Sequence, residues 1–160
     1  MQIAILPVDY HNPTQAEELV ELLDMYARDP MGGGVPLDPQ VRAIVVEKLA
    51  ASGIAFSLIA YVDGQAAGLV NCVEGFSTFA AKPLINIHDV AVAPGFRGLG
   101  LSQQLLSAVE TVARERGCCK VTLEVLQGNQ VAQAAYRKAG YAGYALDPDK
   151  GDALFWQKTL

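Results

Sequence analysis

A glycine-rich turn between a strand-like run and a helix-like run is the first feature of this sequence whose residues could do chemistry. The turn covers Pro94–Ser102, follows the apolar run Leu84–Val92 and leads into the amphipathic run Ser102–Arg116. The first N–H groups of a helix have no internal partner and carry a partial positive charge, and glycine lets the backbone approach an anion closely. Arg97 adds a permanent planar cation that suits phosphate oxygens. The turn is therefore a candidate phosphate-binding site.

Two common phosphate motifs do not account for this turn. A P-loop requires a Gly-Lys-Ser/Thr sequence, which this chain lacks. Gly95, Gly98 and Gly100 are not spaced as in a dinucleotide fingerprint, whose third glycine position holds Gln103 here. The turn also lies past the middle of the chain, whereas that fingerprint usually follows the first strand. The residues around the turn must therefore identify its ligand.

These flanking residues carry a resemblance to a known family. Arg97-x-x-Gly100-x-Ser102 resembles the acyl-CoA pyrophosphate loop of the GNAT N-acetyltransferases, written Gln/Arg-x-x-Gly-x-Gly/Ala, with Ser102 as the small last residue. The preceding Asp89–Pro94 looks like the family's fourth strand, and Asn129–Tyr141 resembles its second signature, Asn-x-x-Ala…Tyr-x-x-x-Gly-Phe/Tyr. The matching motifs cover about a third of the chain, and the first eighty residues fit the family's layout without carrying a signature. Two motifs in the right order around one strand are more specific than either motif alone.

The resemblance implies a fold, a co-substrate and a reaction. It implies the GNAT fold and an acetyl-CoA-dependent transfer of an acetyl group to a primary amine, directly within a ternary complex and without a metal. It also implies that backbone N–H groups around Val90–Val92 stabilise the oxyanion, and that acyl-CoA lies where the strands matching Leu84–Val92 and Val121–Leu126 part. The residues implied in acyl-CoA binding are Val90, Ala91, Val92, Arg97, Gly98, Leu99, Gly100, Leu101, Ser102, Asn129 and Tyr136.

Acid catalysis is implied for one tyrosine. Tyr136 matches the family's tyrosine near the CoA sulfur, and a phenol stays protonated at neutral pH and donates well to a leaving thiolate. The alternative is an aromatic ring that only packs beneath the last strands, as we expect for Tyr141. Asn129 is expected to cap the following helix, and in the family the matching residue also touches the pantetheine arm.

The base is less well defined by the sequence. His88 lies where many relatives carry a glutamate that takes the amine proton, often through water, and an imidazole suits base catalysis at neutral pH. Because side chains alternate along a strand, Asp89 is expected on the opposite face from His88. A histidine that is merely hydrogen-bonded in the core is the alternative, and Glu124 is either a second carboxylate near the cleft or solvent-facing. The residues predicted to share one face are Asn86, His88, Val90 and Val92.

Composition limits the class of protein. The chain has 160 residues, 51% of them apolar, and a net charge of −5 from 12 basic and 17 acidic residues. One folded domain spanning residues 1–160 is expected, and the acidic balance favours cationic substrates over nucleic acid. Three cysteines predict neither a disulfide framework nor a metal site but small buried apolar residues. No segment resembles a signal peptide or a membrane span, so a soluble, cytoplasmic protein is expected, and the sequence leaves open a homodimer.

Hydrophobic spacing and turn residues predict the order β-α-α-β-β-β-α-β-α-β-β. This order indicates an α/β protein whose mixed central sheet carries helices on both faces. The first helix is expected to expose Glu17, Glu18, Glu21 and Asp24, and the second to turn Val41, Ile44, Val45 and Leu49 inward. The predicted strands are Gln2–Val8, Ile54–Val62, Gln65–Val73, Leu84–Val92, Val121–Leu126, Tyr141–Leu146 and Leu154–Thr159; the helices are Asn12–Arg28, Asp38–Ser52, Ser102–Arg116 and Asn129–Ala139.

Three functions are compatible with these patterns. The leading interpretation is an N-acetyltransferase acting on a small-molecule amine, with the loops Asp29–Asp38 and Glu74–Pro83 gating the acceptor site because specificity usually lies on loops. A protein acetyltransferase acting on a lysine or an N-terminus would need an open acceptor groove. A non-catalytic acyl-CoA-binding sensor would need no acid, and the presence of Tyr136 argues against it.

Overall fold

Five strands form one sheet in which each strand pairs with its neighbour in chain order, antiparallel except for the last pair, which is parallel. The computed structural model describes all residues from 1 to 160. The strands are β1 (Ile3–Pro7), β2 (Ala55–Val62), β3 (Gln65–Ser77), β4 (Lys82–Val92) and β5 (Val121–Leu123); the helices are α1 (Pro13–Arg28), α2 (Pro39–Ser52), α3 (Leu101–Glu115) and α4 (Gln130–Lys138).

The two N-terminal helices begin where the sequence predicts. The side chain of Asn12 accepts hydrogen bonds from the backbone N–H groups of Thr14 and Gln15 at the start of α1, and Asp38 accepts one from Gln40 at the start of α2. A proline follows each cap, where its missing N–H costs nothing. These caps satisfy donors that a helix leaves unpaired, which is why local sequence locates both ends well.

Helices cover both faces of the sheet, which confirms the predicted architecture. The larger apolar cluster lies beneath α3 and includes Leu101, Leu105, Leu106 and Val109 of that helix together with Ile85 and Ile87 of β4. The smaller cluster, on the other face, joins Leu19 and Leu22 of α1 to Ile59 and Leu69 of the sheet. Of the three cysteines predicted to be buried, only Cys72 is buried, whereas Cys118 is half-buried and Cys119 exposed.

The segment predicted as the loop Glu74–Pro83 is mostly a β-hairpin. Glu74 pairs with Ile85 and Ser77 with Lys82, so that only residues 78–81 form the turn. Pro83 is the second residue of β4, and proline is tolerated near the start of a strand. The hairpin extends β3 and β4 beyond their predicted ends.

The inward face predicted for α2 is wrong in part. Val41 and Ile44 are exposed, whereas Val46 and Leu49 pack against the smaller cluster. Apolar residues lie on several sides of this helix, so their spacing does not select the buried side. Contacts of α2 with α1 and with the sheet decide which side of the helix is buried.

Asp24 is buried, although its position among the acidic residues of α1 predicted an exposed side chain. Its carboxylate accepts hydrogen bonds from Arg28 Nε at 2.9 Å and from the backbone N–H of Leu37 at 2.8 Å, and lies 3.2 Å from an amino group of Arg42. The hydrogen bond from Arg28, then the one from Leu37, hold the pKa of Asp24 below its ordinary value. The carboxylate thus connects α1 to the segment that leads into α2.

Asp24→Asn should destabilise the protein at neutral pH and have little effect in acid. Asparagine keeps an acceptor for the Leu37 N–H but loses the charge that pairs with Arg28 and Arg42. Because the folded-state pKa is lowered, the stabilisation by the carboxylate is present above the unfolded-state pKa of about 4 and disappears as the pH falls through the folded-state value. Urea unfolding of both proteins from pH 7 down to pH 3 tests this, and a difference in unfolding free energy that does not change with pH would contradict it.

The predicted C-terminal strands Tyr141–Leu146 and Leu154–Thr159 are not formed. The segment makes a single bridge between Ala145 and Asp152, around a short turn at Pro148–Lys150, and residues 153–160 have no regular structure. A two-stranded hairpin is marginally stable without a packed face, and the side chains here are largely exposed. The sheet therefore has five strands instead of seven. Among the helices, none has the length and apolar character needed to cross a membrane.

Candidate functional site

A gap opens in the sheet where β5 stops short. β5 pairs with β4 only from Ile85 to Ile87, while β4 continues to Val92 with β3 as its remaining strand neighbour. The strand-like run predicted to reach Leu126 forms a ladder only as far as Leu123. Alternate backbone groups of β4 past Ile87 therefore face the gap without a strand partner. The residues Val90–Val92 lie in this part of β4.

A β-bulge at His88 lies at the edge of this gap. Cys72 of β3 opposes Ile87 and Asn71 opposes Asp89, so His88 has no residue across from it. Ile87 and Val90 both pack into the larger cluster, which places the two residues between them on the other side of the sheet. His88 is exposed there and its side chain forms no hydrogen bond with the protein. The predicted face shared by His88 and Val90 is wrong, because the extra residue of a bulge interrupts the alternation of side chains.

A chain of polar side chains crosses three strands and ends at Asp89. Tyr10 Oη lies 2.8 Å from Ser57 Oγ, Ser57 Oγ donates to Asn71 Oδ1 at 2.6 Å, and Asn71 Nδ2 donates to Asp89 Oδ2 at 3.0 Å. Ser57 and Asn71 are only 1% and 5% exposed. This chain was not predicted, because its members lie far apart in sequence and two polar residues within apolar strands were the only signal.

Tyr26 of α1 lies near charged and titratable groups of β4 and α4. Burial raises the pKa of Tyr26, and the negative charges of Asp89 and Asp29 raise it further. Burial also raises the pKa of Tyr136 to about 12, with a smaller contribution from Tyr26. Tyr26 is therefore close enough to Asp89 of the bulge and to Tyr136 for their charges to interact.

Tyr136 of α4 and Tyr141, just after that helix, contact each other. The rings of Tyr136 and Tyr141 both pack against the larger cluster and meet edge to face, with their centroids 6.1 Å apart. The Tyr141 hydroxyl is buried without a hydrogen-bond partner. Gln103 Nε2 donates to the carbonyl of Ala135 at 2.9 Å, which ties the turn of α4 that carries Tyr136 to the start of α3. This role of Gln103 was not predicted.

The glycine-rich turn presents an uncapped helix start. Gly98 and Gly100 have φ angles of +82° and +75°, which favour glycine, and Gly100 precedes α3 without any side chain capping the first N–H groups. A Cβ at either glycine would meet no atom within 4 Å, so the space over the turn is open. Leu99 packs against the larger cluster and Leu101 is buried in it, which anchors the turn.

Arg97 lies at the same turn with an exposed side chain. Its guanidinium donates to the carbonyl of Val92 and to Asp29 Oδ2, each at 3.3 Å. An exposed ion pair of this kind stabilises a protein little. At the base of α4, Asn129 caps the helix as predicted, because its side chain accepts a hydrogen bond from the Ala132 N–H at 3.1 Å.

Glu124 directly follows β5, where the gap opens, and its side chain is exposed. Three residues of the second predicted loop lie away from this gap. Phe76 belongs to the β3–β4 hairpin, and Phe79 at its tip is fully exposed. Lys82 begins β4 six residues before His88, which at about 3.3 Å per residue separates the hairpin from the bulge by roughly 20 Å. A groove of about 480 Å³ between α1 and α2 is also separate from the gap.

Comparison with known proteins agrees with this geometry. The family model described as the acetyltransferase (GNAT) family matches residues 17–141. Streptothricin acetyltransferase of Streptomyces lavendulae is 39% identical over 85 residues, which are 53% of this chain and 43% of that protein. An uncharacterized N-acetyltransferase of Archaeoglobus fulgidus is 35% identical over 80 residues, which are 49% of this chain and 54% of that protein. The chain thus spans about half the length of the curated relatives it matches.

Solved structures share the fold at low sequence identity. The aminoglycoside acetyltransferase AAC(6')-Iy, in complex with a bisubstrate analogue, has a TM-score of 0.76 and 20% identity, with all of both chains covered. The ribosomal-protein-alanine N-acetyltransferase of Brucella melitensis has a TM-score of 0.68 and 21% identity, covering 91% of this chain and 99% of that one. The sheet with its gap, the uncapped turn and the family match over most of the chain show that this protein belongs to the GNAT acetyltransferase family.

Proposed function

We propose that this protein is an acetyl-CoA-dependent N-acetyltransferase that transfers the acetyl group directly to a primary amine of a small molecule within a ternary complex. The observation that carries the proposal is the gap beside β4: an uncapped helix start follows β4, and Tyr136 packs against the same apolar cluster as Val90 and Val92 of that strand. The uncapped helix start suits the anionic end of acetyl-CoA, and Tyr136 suits its thioester. An acceptor would enter from the side of α1.

The turn from Arg97 to Ser102 is the proposed pyrophosphate site. Backbone N–H groups at the start of α3 have no capping side chain, and the positive φ angles of Gly98 and Gly100 leave the space over them open. Arg97 lies beside them as a cation that can exchange its exposed partner Asp29 for phosphate oxygens. Asn129 is proposed to contact the pantetheine arm in addition to capping α4.

Three groups around the gap are proposed to carry out the transfer. Backbone N–H groups of Val90–Val92 stabilise the oxyanion that forms on the thioester carbonyl. Tyr136 donates a proton to the departing thiolate. The bulge supplies the base, either His88 as the sequence suggested or its neighbour Asp89.

A small cationic amine is the proposed acceptor. The net charge of the chain is −5, and the negative charges of Asp29 and Asp89 both act on Tyr26 at the gap. Relatives named for streptothricin and for aminoglycosides support a small molecule as the acceptor. Opposite charge would steer such an amine to the gap.

Release of free thiol from acetyl-CoA tests the proposal directly. The acceptors should include a diamine, an aminoglycoside, a streptothricin, and a peptide with a free N-terminus and a lysine. We expect thiol release with one or more of the small amines. Release with the peptide alone would favour a protein acetyltransferase, and tight binding of acetyl-CoA without thiol release from any amine would favour a sensor.

Met31→Ala should raise the KM for the acceptor several-fold and leave the KM for acetyl-CoA nearly unchanged. Met31 is 39% exposed in the segment that begins at Asp29, next to the gap. Phe76→Ala is the matched control, because Phe76 is exposed on the distant hairpin. The sequence predicted that both segments gate the acceptor; we propose this role for the first segment alone, because the hairpin is far from the bulge. An acceptor KM that responds to Phe76→Ala and not to Met31→Ala would reverse this assignment.

A further inference from the structure

We infer that Asp89 binds the acceptor ammonium and takes its proton, and that Asn71 positions this carboxylate as the last link of the buried chain Tyr10–Ser57–Asn71. The inference rests on the proposed function and identifies which residue of the bulge acts as the base. Three observations lead to it: the register around the bulge, the direction of the hydrogen bonds, and the charges that face Asp89.

The register places the members of the chain directly opposite one another. Ser57 pairs with Asn71 between β2 and β3, and Asn71 pairs with Asp89 between β3 and β4. Because Cys72 lies opposite Ile87, a β4 strand without the bulge would have His88 opposite Asn71. The bulge therefore places the carboxylate of Asp89, instead of the imidazole of His88, at the end of the polar chain.

The hydrogen bonds of the chain all point towards Asp89. A hydroxyl has one proton, so Ser57, which donates to Asn71 Oδ1, must accept from Tyr10. The carbonyl of Asn71 is thereby occupied, and its amide group is directed at Asp89 Oδ2. The opposite amide orientation would set the Asn71 oxygen against the carboxylate. Asp89 Oδ1 accepts no hydrogen bond from the protein, so one carboxylate oxygen is held and the other can receive a ligand.

Apolar residues could fill this part of the sheet at less cost. The same face carries the buried Ile59 and Leu69, whereas buried polar side chains must find partners to offset their lost hydration. Ser57 and Asn71 have such partners only because the chain is complete from Tyr10 to Asp89. The position that benefits from this arrangement is the half-buried Asp89, at the edge of the gap.

None of the charged or titratable groups around Asp89 forms an ion pair with its carboxylate. Arg97 pairs with Asp29 instead, and no basic side chain lies within ion-pair distance of Asp89. Tyr26 faces it from α1, Cys72 lies near it on β3 and His88 precedes it in the chain. A cationic acceptor would supply the missing positive charge.

The proton balance follows from the charge of the acceptor. The ammonium ion gives one proton to Asp89, which passes it to solvent, and the neutral nitrogen attacks the thioester carbon of acetyl-CoA. The C–N bond forms and the C–S bond breaks, so the electron pair leaves on sulfur. The thiolate takes a proton from Tyr136, and the second proton lost by the nitrogen restores the phenol through solvent.

The first test measures kcat/KM against pH with an acceptor found in the thiol-release assay. The wild type should show an acidic limb. In Asp89→Asn this limb should be replaced by a rise towards the acceptor's own pKa, and kcat/KM near pH 7 should fall by about 10²–10⁴-fold. Asn71→Asp places a second carboxylate next to Asp89, and two adjacent negative charges disfavour the ionisation of Asp89. The acidic limb of this variant should therefore move to higher pH, and kcat/KM should recover above the shifted limb. His88→Ala is the competing variant, and loss of the limb in it but not in Asp89→Asn would overturn the inference.

An exchange variant separates catalysis from folding. Asn71→Asp combined with Asp89→Asn restores a hydrogen bond between the two positions in the reverse direction, and Ser57 can still donate to position 71. We expect the unfolding midpoint to return towards that of the wild type while kcat/KM stays at the level of Asp89→Asn. Recovery of activity together with stability would overturn the inference and show a structural pair. If the wild type itself acetylates no amine, the proposed function fails and the inference fails with it. If the wild type is active and the Asp89→Asn variant is fully active too, only the inference is overturned.

Discussion

Tyr136→Phe should lower kcat by about 10²–10⁴-fold with little change in acetyl-CoA affinity, because it keeps the ring and removes only the proton donor. Burial raises the pKa of Tyr136 to about 12, so the phenol stays protonated across the working pH range and its proton is available to the thiolate at every turnover. The hydroxyl forms no hydrogen bond with the protein, and its removal should not disturb the fold. Single-turnover kinetics with acetyl-CoA measures the chemical step directly and avoids masking by product release.

Tyr141→Phe is the matched control for this prediction. The two rings contact each other and pack against the same cluster, and burial also raises the pKa of Tyr141 to about 12. The Tyr141 hydroxyl is buried without a partner, so its removal should leave kcat unchanged and stability equal or slightly higher. Equal losses of kcat in both variants would assign Tyr136 to packing and remove it as the acid.

Gly100→Val should weaken acetyl-CoA binding by about 100-fold. A valine at this position directs its branched side chain into the open space over the start of α3 and blocks N–H groups from phosphate oxygens. Losing about two hydrogen bonds to a charged group costs about 3 kcal/mol, which corresponds to a factor of roughly 100 in Kd. Isothermal titration calorimetry with acetyl-CoA measures the change.

Gly117→Val controls for backbone strain in the Gly100 experiment. Gly117 follows the C-terminal end of the same helix with φ +69°, close to the +75° of Gly100, and its missing Cβ also faces open space. Both variants should lose stability, because a β-branched residue is strained in the left-handed region. Only Gly100→Val should lose affinity in the folded protein; a similar loss in both would mean that strain in α3, and not the blocked anion site, weakens binding.

The match between sequence and structure is closest where a signal is local. Asn12 and Asp38 cap their helices because each side chain reaches N–H groups two or three residues away. Asp63 and Gly64 form the turn between the predicted strands Ile54–Val62 and Gln65–Val73, with φ angles of +49° and +80°. The glycine-rich turn belongs to the same class, because the φ angles and the uncapped helix start depend on adjacent residues. Its ligand was inferred from the resemblance to the GNAT family, which the comparisons confirm.

The face of β4 that His88 occupies is where sequence reasoning failed, and the cause is a single extra residue. Alternation along β4 placed His88 beside Val90, but the bulge turns His88 and Asp89 to the same side. No feature of β4 alone predicts the bulge, because it depends on how β3 pairs with both halves of the strand. The same limit applies to Asp24. The pattern of α1 predicted an exposed side chain, but contacts with Arg42 and Leu37, which lie outside α1, bury it.

The helix ends, the tight turns, the class of fold and the family can be predicted from the amino-acid sequence, because short-range hydrogen bonds, backbone preferences and hydrophobic spacing depend on neighbouring residues. Long-range pairing of the strands sets three other features: β5 ends at Leu123, β4 bulges at His88, and hydrogen bonds link Tyr10, Ser57, Asn71 and Asp89 in one chain. Strand register is set by contacts between residues far apart in the chain, and a shift of one residue changes which side chain faces the gap. That shift makes Asp89, rather than His88, the residue at the end of the polar chain.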